Sequence, residues 1–528
     1  MGPAPQRAFH VIFTLLVALA SACSLNAAEW RKLSTPRYTI ITHASDRLTR
    51  HVASDFDDFL GFLDRFVVAK PEGLTPLTIV LFADDGEFDP YKPVTPEGVN
   101  VDYVPEELME VWTTSMTGTQ NGWTTIGAAA QDYGSPRQAR QAEFQDYGYQ
   151  TERGVLEGGV YWYLSALKTP APPAVTRGMA SMFGGFKREI THGVLGAINR
   201  DEMLILDQWP LIPVKQLLTM TEMEAVTGHN RVLFNVESRA FVQYLMFSKW
   251  SMDRHAFSTY WQALRDGYPS EEAMLKALGP DWETKVNTDL SAFIHSTRYL
   301  LRIEMGEEIE NKDPIVPADA MEVEIALTKA TMVSRHGQPV AHADAAVAAS
   351  RGRPEAYDIR AEALAASKAA PADIAKAVDD ALAHGSRSAW TAWKKADFRF
   401  SQIANPAASP KGARAVVNLA EQAANLDFRF RPSFNLMAQA LAFSDRVTDD
   451  DAKFMAFARA RFPWDRWILI GQSAIHAKTG DPEGARQLRE RALSDDRTLD
   501  PRQLAEIKAF VARMGEGAPG SPAGGHPS

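Results

Sequence analysis

Two stretches of this chain, YDIRAEALAASKAAPADIAKAVDDAL (357–382) and ILIGQSAIHAKTGDPEGARQLRERAL (468–493), align without a gap. The alignment sets Ala363 on Ala474, Pro371 on Pro482, Ala381 on Ala492 and Leu382 on Leu493. A third unit falls between them, because Ala440 and Ala458 precede Ala474 and Ala492 by 34 residues. A 34-residue period is that of stacked helix pairs, and small residues at fixed places let paired helices approach closely. A plainer alternative stands beside it: Ala-rich helices that align by composition alone. Both readings make the C-terminal part all-α.

The chain has 528 residues, 45% of them hydrophobic. At about 150 residues per domain this is too long for one core and suggests two to four units. Charged residues make up 23%, a globular composition. The formal net charge is -10 without basic clusters, which argues against nucleic acid or anionic lipid as partner.

Residues 1–28 read as an export signal. Arg7 supplies the positive start, VIFTLLVALA (11–20) the apolar stretch, and small residues follow, with Ala22, Ala27 and Ala28 as cleavage points. The apolar stretch is too short to span a membrane, and no later run approaches 18 apolar residues. The expected location is therefore periplasmic. Cys23, the one cysteine, sits in ASAC, which partly resembles a lipobox; a lipid anchor there and a free periplasmic protein both stand as readings. Cleavage after Ala28 leaves no thiol, which excludes disulfides, thiolate metal sites and a Cys nucleophile.

RYTIITH (37–43) and PLTIVLF (76–82) read as strands, with a helix from Asp46 between them whose apolar residues recur at three and four. GTQNGWTTIGAAAQDYG (118–134) reads as strand or loop. Helices are expected in the 150s, around 175–186, and over 213–220, 235–250 and 270–279. The charged, Pro-containing segment 305–322 is expected as a linker between a unit at 29–304 and helical repeats at 323–513, with a disordered tail at 514–528.

The segment GVLEGGVYWYLSALKTPAPPAVTRGMASMF (154–183) has the shape of a metallopeptidase core. The zinc motif of such enzymes puts two histidines at i and i+4 on one helix with a glutamate after the first, and a third ligand on a later helix. None of the twelve histidines here has a partner at i+4. Even so, residues ~30–300 resemble an exported bacterial family of peptidase MA (gluzincin) type. The resemblance is carried by EWRKLSTPRYTII, VLFADDGEFDPYKP, LEGGV, PPAVTRGMASMF and VESRAFVQYL. It implies an α+β gluzincin-like unit followed by a tetratricopeptide-like helical solenoid.

Carried over residue by residue, the resemblance places the zinc ligands at Leu156, Val160 and Arg177, and the general base at Glu157. Leucine and valine have no lone pair, and arginine is a permanent cation. No metal or other cofactor is expected, and Glu157 has no metal-bound water to deprotonate. A buried Glu157 without the ion needs a cation or a proton. Arg177 is the expected cation, forming an ion pair in the emptied site; the alternative is Arg177 in solvent with Glu157 paired elsewhere.

Other candidates each have a structural alternative. His192 with Glu189 could be a displaced ligand pair, or a polar strand histidine. The YWY run (161–163) could line a groove, or fill the core. Ser238 has no base in reach for nucleophilic work. Trp464 and Trp467 could anchor a partner, or pack helix pairs. No phosphate-binding loop occurs. The expected function is non-catalytic binding or scaffolding of a protein or peptide through the helical repeats. A hydrolase with an unrecognised site, and a purely structural envelope protein, are the alternatives.

Overall fold

The computed structural model describes residues 29–66, 77–83, 85–91, 124–129, 150–167, 171–189, 191–195, 200–220, 231–296, 301–306, 310–332, 338–428, 430–463, 465–494 and 501–516. The expected signal segment with Cys23, Trp464, and the expected tail beyond residue 516 lie outside these residues. The protein is mostly helical, with its sheets in the N-terminal part.

The N-terminal part opens with β1 (Arg31–Ser34), β2 (Tyr38–Thr42), α1 (Asp46–Phe66), β3 (Leu77–Phe82), the short α2 (Asp85–Phe88) and β4 (Thr124–Ala129). β1 and β2 are antiparallel, whereas β2, β3 and β4 run parallel. The parallel step from β2 to β3 needs a crossover, and α1 supplies it. α1 buries Val52, Phe56, Phe59, Leu60 and Leu63, the stripe expected from their spacing. The burial of β2 and β3 is nearly continuous, because both faces of the sheet are covered.

α3 (Gln150–Leu167), α4 (Pro173–Gly184), the hairpin β5 (Lys187–Glu189) and β6 (His192–Leu195), α5 (Arg200–Gln208) and α6 (Val214–Thr219) follow. Then come α7 (Arg231–Phe247), α8 (Lys249–Met252), α9 (Ala256–Arg265), α10 (Ser270–Leu278) and α11 (Trp282–Ser296). α10 stops at Gly279, whose φ of 88° is open to glycine at little cost. α3, α4 and α7 share one core with α1 and the inner sheet face, through Phe56, Val160, Trp162, Met179, Phe183 and Phe241.

The expected linker carries structure. β7 (Leu301–Glu304) ends just before it and pairs with β6. Within it, β8 (Ile315–Pro317) pairs antiparallel with β1, so the sheet order is β4-β3-β2-β1-β8. α12 (Ala320–Thr331) starts inside the linker as well. Asp319 caps it by accepting from Met321 N at 3.0 Å and Glu322 N at 3.3 Å. Val323, Ala326 and Leu327 of α12 pack on Ile41, Val80 and Phe82 of the outer sheet face. The helical part is thus seated on the sheet rather than tethered to it.

From there the chain is helical: α13 (Pro339–Ala349), α14 (Pro354–Ala366), α15 (Pro371–Ala383), α16 (Ala389–Ser401), α17 (Pro410–Leu426), α18 (Arg431–Phe443), α19 (Asp449–Arg461), α20 (Arg466–Lys478), α21 (Pro482–Leu493) and α22 (Pro501–Glu516). Successive helices pack on one another, α12 on α13 through to α20 on α21, and α18 also packs on α20. The aligned stretches fall on equivalent pairs, α14 with α15 and α20 with α21. Pro371 and Pro482 stand at the first turn of α15 and α21, where proline lacks only an N–H that is spare anyway. Ala363, Ala381, Ala440, Ala458, Ala474 and Ala492 are all buried. α22 runs to Glu516, into the stretch expected as tail.

Candidate functional site

α3 and α4 pack face to face. Leu156, Glu157, Val160 and Arg177 are all buried between them and their neighbours. Leu156 and Val160 belong to the main apolar core. Glu157 is 1% exposed and Arg177 2%. The Cγ of Glu157 lies 2.1 Å from where a Cβ on Gly184 would stand, so the absent side chain makes room for the glutamate stem. Arg177 Nη1 donates to Asn235 Oδ1 of α7 at 3.4 Å.

Arg177 and Gly184 are seven residues apart on α4, about 10 Å along the axis at 1.5 Å per residue. Glu157 and Arg177 each make a further polar or electrostatic contact in this buried region.

The chemistry of this donor set does not fit zinc. Of the three positions that the resemblance would make ligands, two are hydrocarbon and the third is a guanidinium. Among the described residues, no group of three or more His, Cys, Asp or Glu stands together in a way that could hold a metal ion.

Beside this pair stand two further buried acids, Glu237 of α7 and Glu202 of α5. Glu237 Oε2 accepts from Ile212 N at 2.8 Å, while burial pushes its carboxyl up to about 8. Arg239 Nη1 donates to both oxygens of Glu202 of α5 at 2.7 Å. Ser238 is fully buried. His192 stands opposite Glu189 in the β5–β6 register, its Nδ1 2.8 Å from the Thr191 hydroxyl, a strand histidine. Tyr161, Trp162 and Tyr163 are core residues. Trp467 packs edge-on to Phe510 of α22 at 5.1 Å, a helix-packing contact.

Open space lies elsewhere. A cavity of about 920 Å³ sits between the outer face of the sheet and the helical part. That is within the range of roughly 300–1,000 Å³ typical of ligand pockets. Lys32, Thr39, Ile41 and Thr78 of the sheet form one wall. Glu322, Ile325, Ala326 and Lys329 of α12 form a second, and Glu355, Asp358, Ile359 and Glu362 of α14 a third. Both helices present residues at i, i+3, i+4 and i+7, one stripe apiece. Trp390 at the start of α16 and Phe430 before α18 line it as well, packed with Ala361 of α14.

Charges in this cavity are mostly matched. Lys32 Nζ meets Glu322 Oε2 at 2.6 Å, and Arg353, at the start of α14, lies 3.8 Å from Glu355. Lys329 and Glu362 act on each other at the buried end. Burial holds the Lys329 amine well below the usual lysine range, while Glu362 favours its charged form. Burial likewise pushes Glu362 up to about 7, with Lys329 opposing. Asp358 Oδ1 accepts from the Ser386 hydroxyl at 2.5 Å and the Thr391 hydroxyl at 2.6 Å. Burial raises its carboxyl despite those two bonds. No sequence pattern announced this cavity, although the acidic stripe of α14 was visible as Glu355, Asp358 and Glu362 at helical spacing.

In comparisons with known proteins, no family model, no curated protein and no solved structure matches this chain.

Proposed function

We propose that the protein is an exported, periplasmic, non-catalytic binding protein: a pseudo-metallopeptidase unit joined to a tetratricopeptide-like solenoid, with a protein or peptide as ligand. The observation that carries this reading is the burial of Leu156, Val160 and Arg177 where a hydrolytic ion would be gripped. Glu157 is enclosed with them, so the general base of the resembled family has neither metal nor an open groove at its side chain. The cavity between sheet and helices offers the space that the α3–α4 pair lacks.

The test is metal analysis and peptide hydrolysis on the purified protein, with Glu157→Gln as control. The expected result is no stoichiometric zinc and no cleavage, with unstructured peptides bound intact. One zinc per chain, together with cleavage that Glu157→Gln abolishes, overturns the reading.

A further inference from the structure

The geometry points to a specific occupant: we propose that the cavity between the sheet and α14 binds an ammonium group of a peptide, with Asp358 as its counter-charge. This rests on the binding reading above and names its ligand chemistry.

Three of the four basic groups lining the cavity face acids. Lys32 is held by Glu322 at 2.6 Å, and Arg353 lies 3.8 Å from Glu355 and 3.7 Å from Asp319. Lys329 and Glu362 act on each other in the interior, each opposing the other's shift. Arg387 is exposed at the rim. Asp358 differs from all of these. Its partners are two hydroxyls, and no ion pair to it occurs among the described residues. The charges acting on it are the acids of its own helix, Glu355 and Glu362, which repel its negative form. A carboxylate in a cavity, solvated by hydroxyls and uncompensated by a cation, is an electrostatic seat for one. Trp390 and Phe430 also line the cavity and pack with Ala361 of α14, adding aromatic surface, which attracts ammonium groups.

The acidic stripe is not a requirement of the helix pair. In the aligned copy, Glu355, Asp358 and Glu362 correspond to Arg466, Leu469 and Ser473. The second copy packs its helices without them, so the carboxylates answer to the cavity.

The experiment uses calorimetric titration of the whole protein with the tetrapeptide Ala-Lys-Ala-Ala, its Nε-acetylated form, its Nα-acetylated form and Ala-Glu-Ala-Ala. Acetylation removes a charge and keeps the chain, so the two acetyl arms distinguish side-chain ammonium from amino terminus. One of the two acetylations is expected to weaken binding at least tenfold. Asp358→Asn is expected to weaken the lysine peptide at least tenfold and leave the corresponding acetylated peptide unchanged. Glu355→Gln, on the exposed end of the stripe, is the second variant should Asp358→Asn lower the melting temperature, and it weakens the lysine peptide in the same direction. Equal binding of all acetylated forms, or tighter binding of Ala-Glu-Ala-Ala, overturns the ammonium assignment and leaves the binding reading standing. Binding of no peptide overturns both.

Discussion

Gly178 of α4 lies against the backbone of Ser238 in α7: a Cβ on Gly178 would stand 2.3 Å from the Ser238 carbonyl oxygen and 2.6 Å from a methyl of Val242. The two helices cross at backbone contact there, and a carbonyl cannot rotate aside as a side chain can. Gly178→Ala is expected to destabilise by about 3 kcal/mol, even after the ~1 kcal/mol that alanine gains in a helix. Gly184→Ala meets the stem of the buried Glu157, a side chain that can change rotamer only at a cost, so its net loss is expected to be somewhat smaller, about 2 kcal/mol. Urea midpoints of the two variants check the order, and Gly184→Ala as the worse of the two would contradict it.

Arg239 and Glu202 bind each other out of solvent, their side chains 2% and 9% exposed. Removing one partner leaves a buried charge without its counter-charge. Arg239→Met is expected to cost about 3–5 kcal/mol, and the double variant Arg239→Met with Glu202→Leu less than the sum of the two single changes. Additive losses in a double-mutant cycle would refute the coupling.

Glu237 gives a pH signature. Its carboxyl is pushed from the ordinary 4.5 up to about 8 by burial. Between those values the folded protein keeps a proton that the unfolded chain has released. Stability from this group is therefore full below pH 4.5 and is lost as pH rises toward 8, on the order of 2–4 kcal/mol in all. Glu237→Gln does not titrate, so its stability relative to the parent is expected to climb between pH 4.5 and 8. Parallel stability curves for the two proteins across that window would remove Glu237 as the source.

Much of the architecture was legible. The strands at 38–42 and 77–82 have β-branched runs between polar residues, and α1 begins at Asp46, as its spacing requires. The α3–α4 pair was readable as two helices around a Pro-rich break, but whether Glu157 and Arg177 are buried was open in the sequence, and the structure encloses both. β8 was not legible. It is three residues long, its second residue Val316 is exposed, and Pro314 and Pro317 made it look like linker. It is a strand because β1 has a free edge to pair with, which is a property of the sheet and not of the segment. The cavity was invisible for a similar reason. Its walls come from residues as far apart as Lys32 and Phe430, and no local period links them.

The alignment of the two helical stretches makes a paired prediction. Ala381 and Ala492 occupy matching places on α15 and α21, and neither has any exposed surface. Leucine at either site adds three methylene-sized groups where the facing helix leaves room for one carbon. Ala381→Leu and Ala492→Leu are each expected to lower stability by about 2–3 kcal/mol. Ala383, two residues beyond Ala381 and exposed, is the control, and leucine there is expected to change stability by less than about 0.5 kcal/mol. If the small residues were there by composition alone, the buried and exposed sites would respond alike. Thermal melts of the three variants decide the matter, because a steric requirement for alanine predicts two losses and one neutral change.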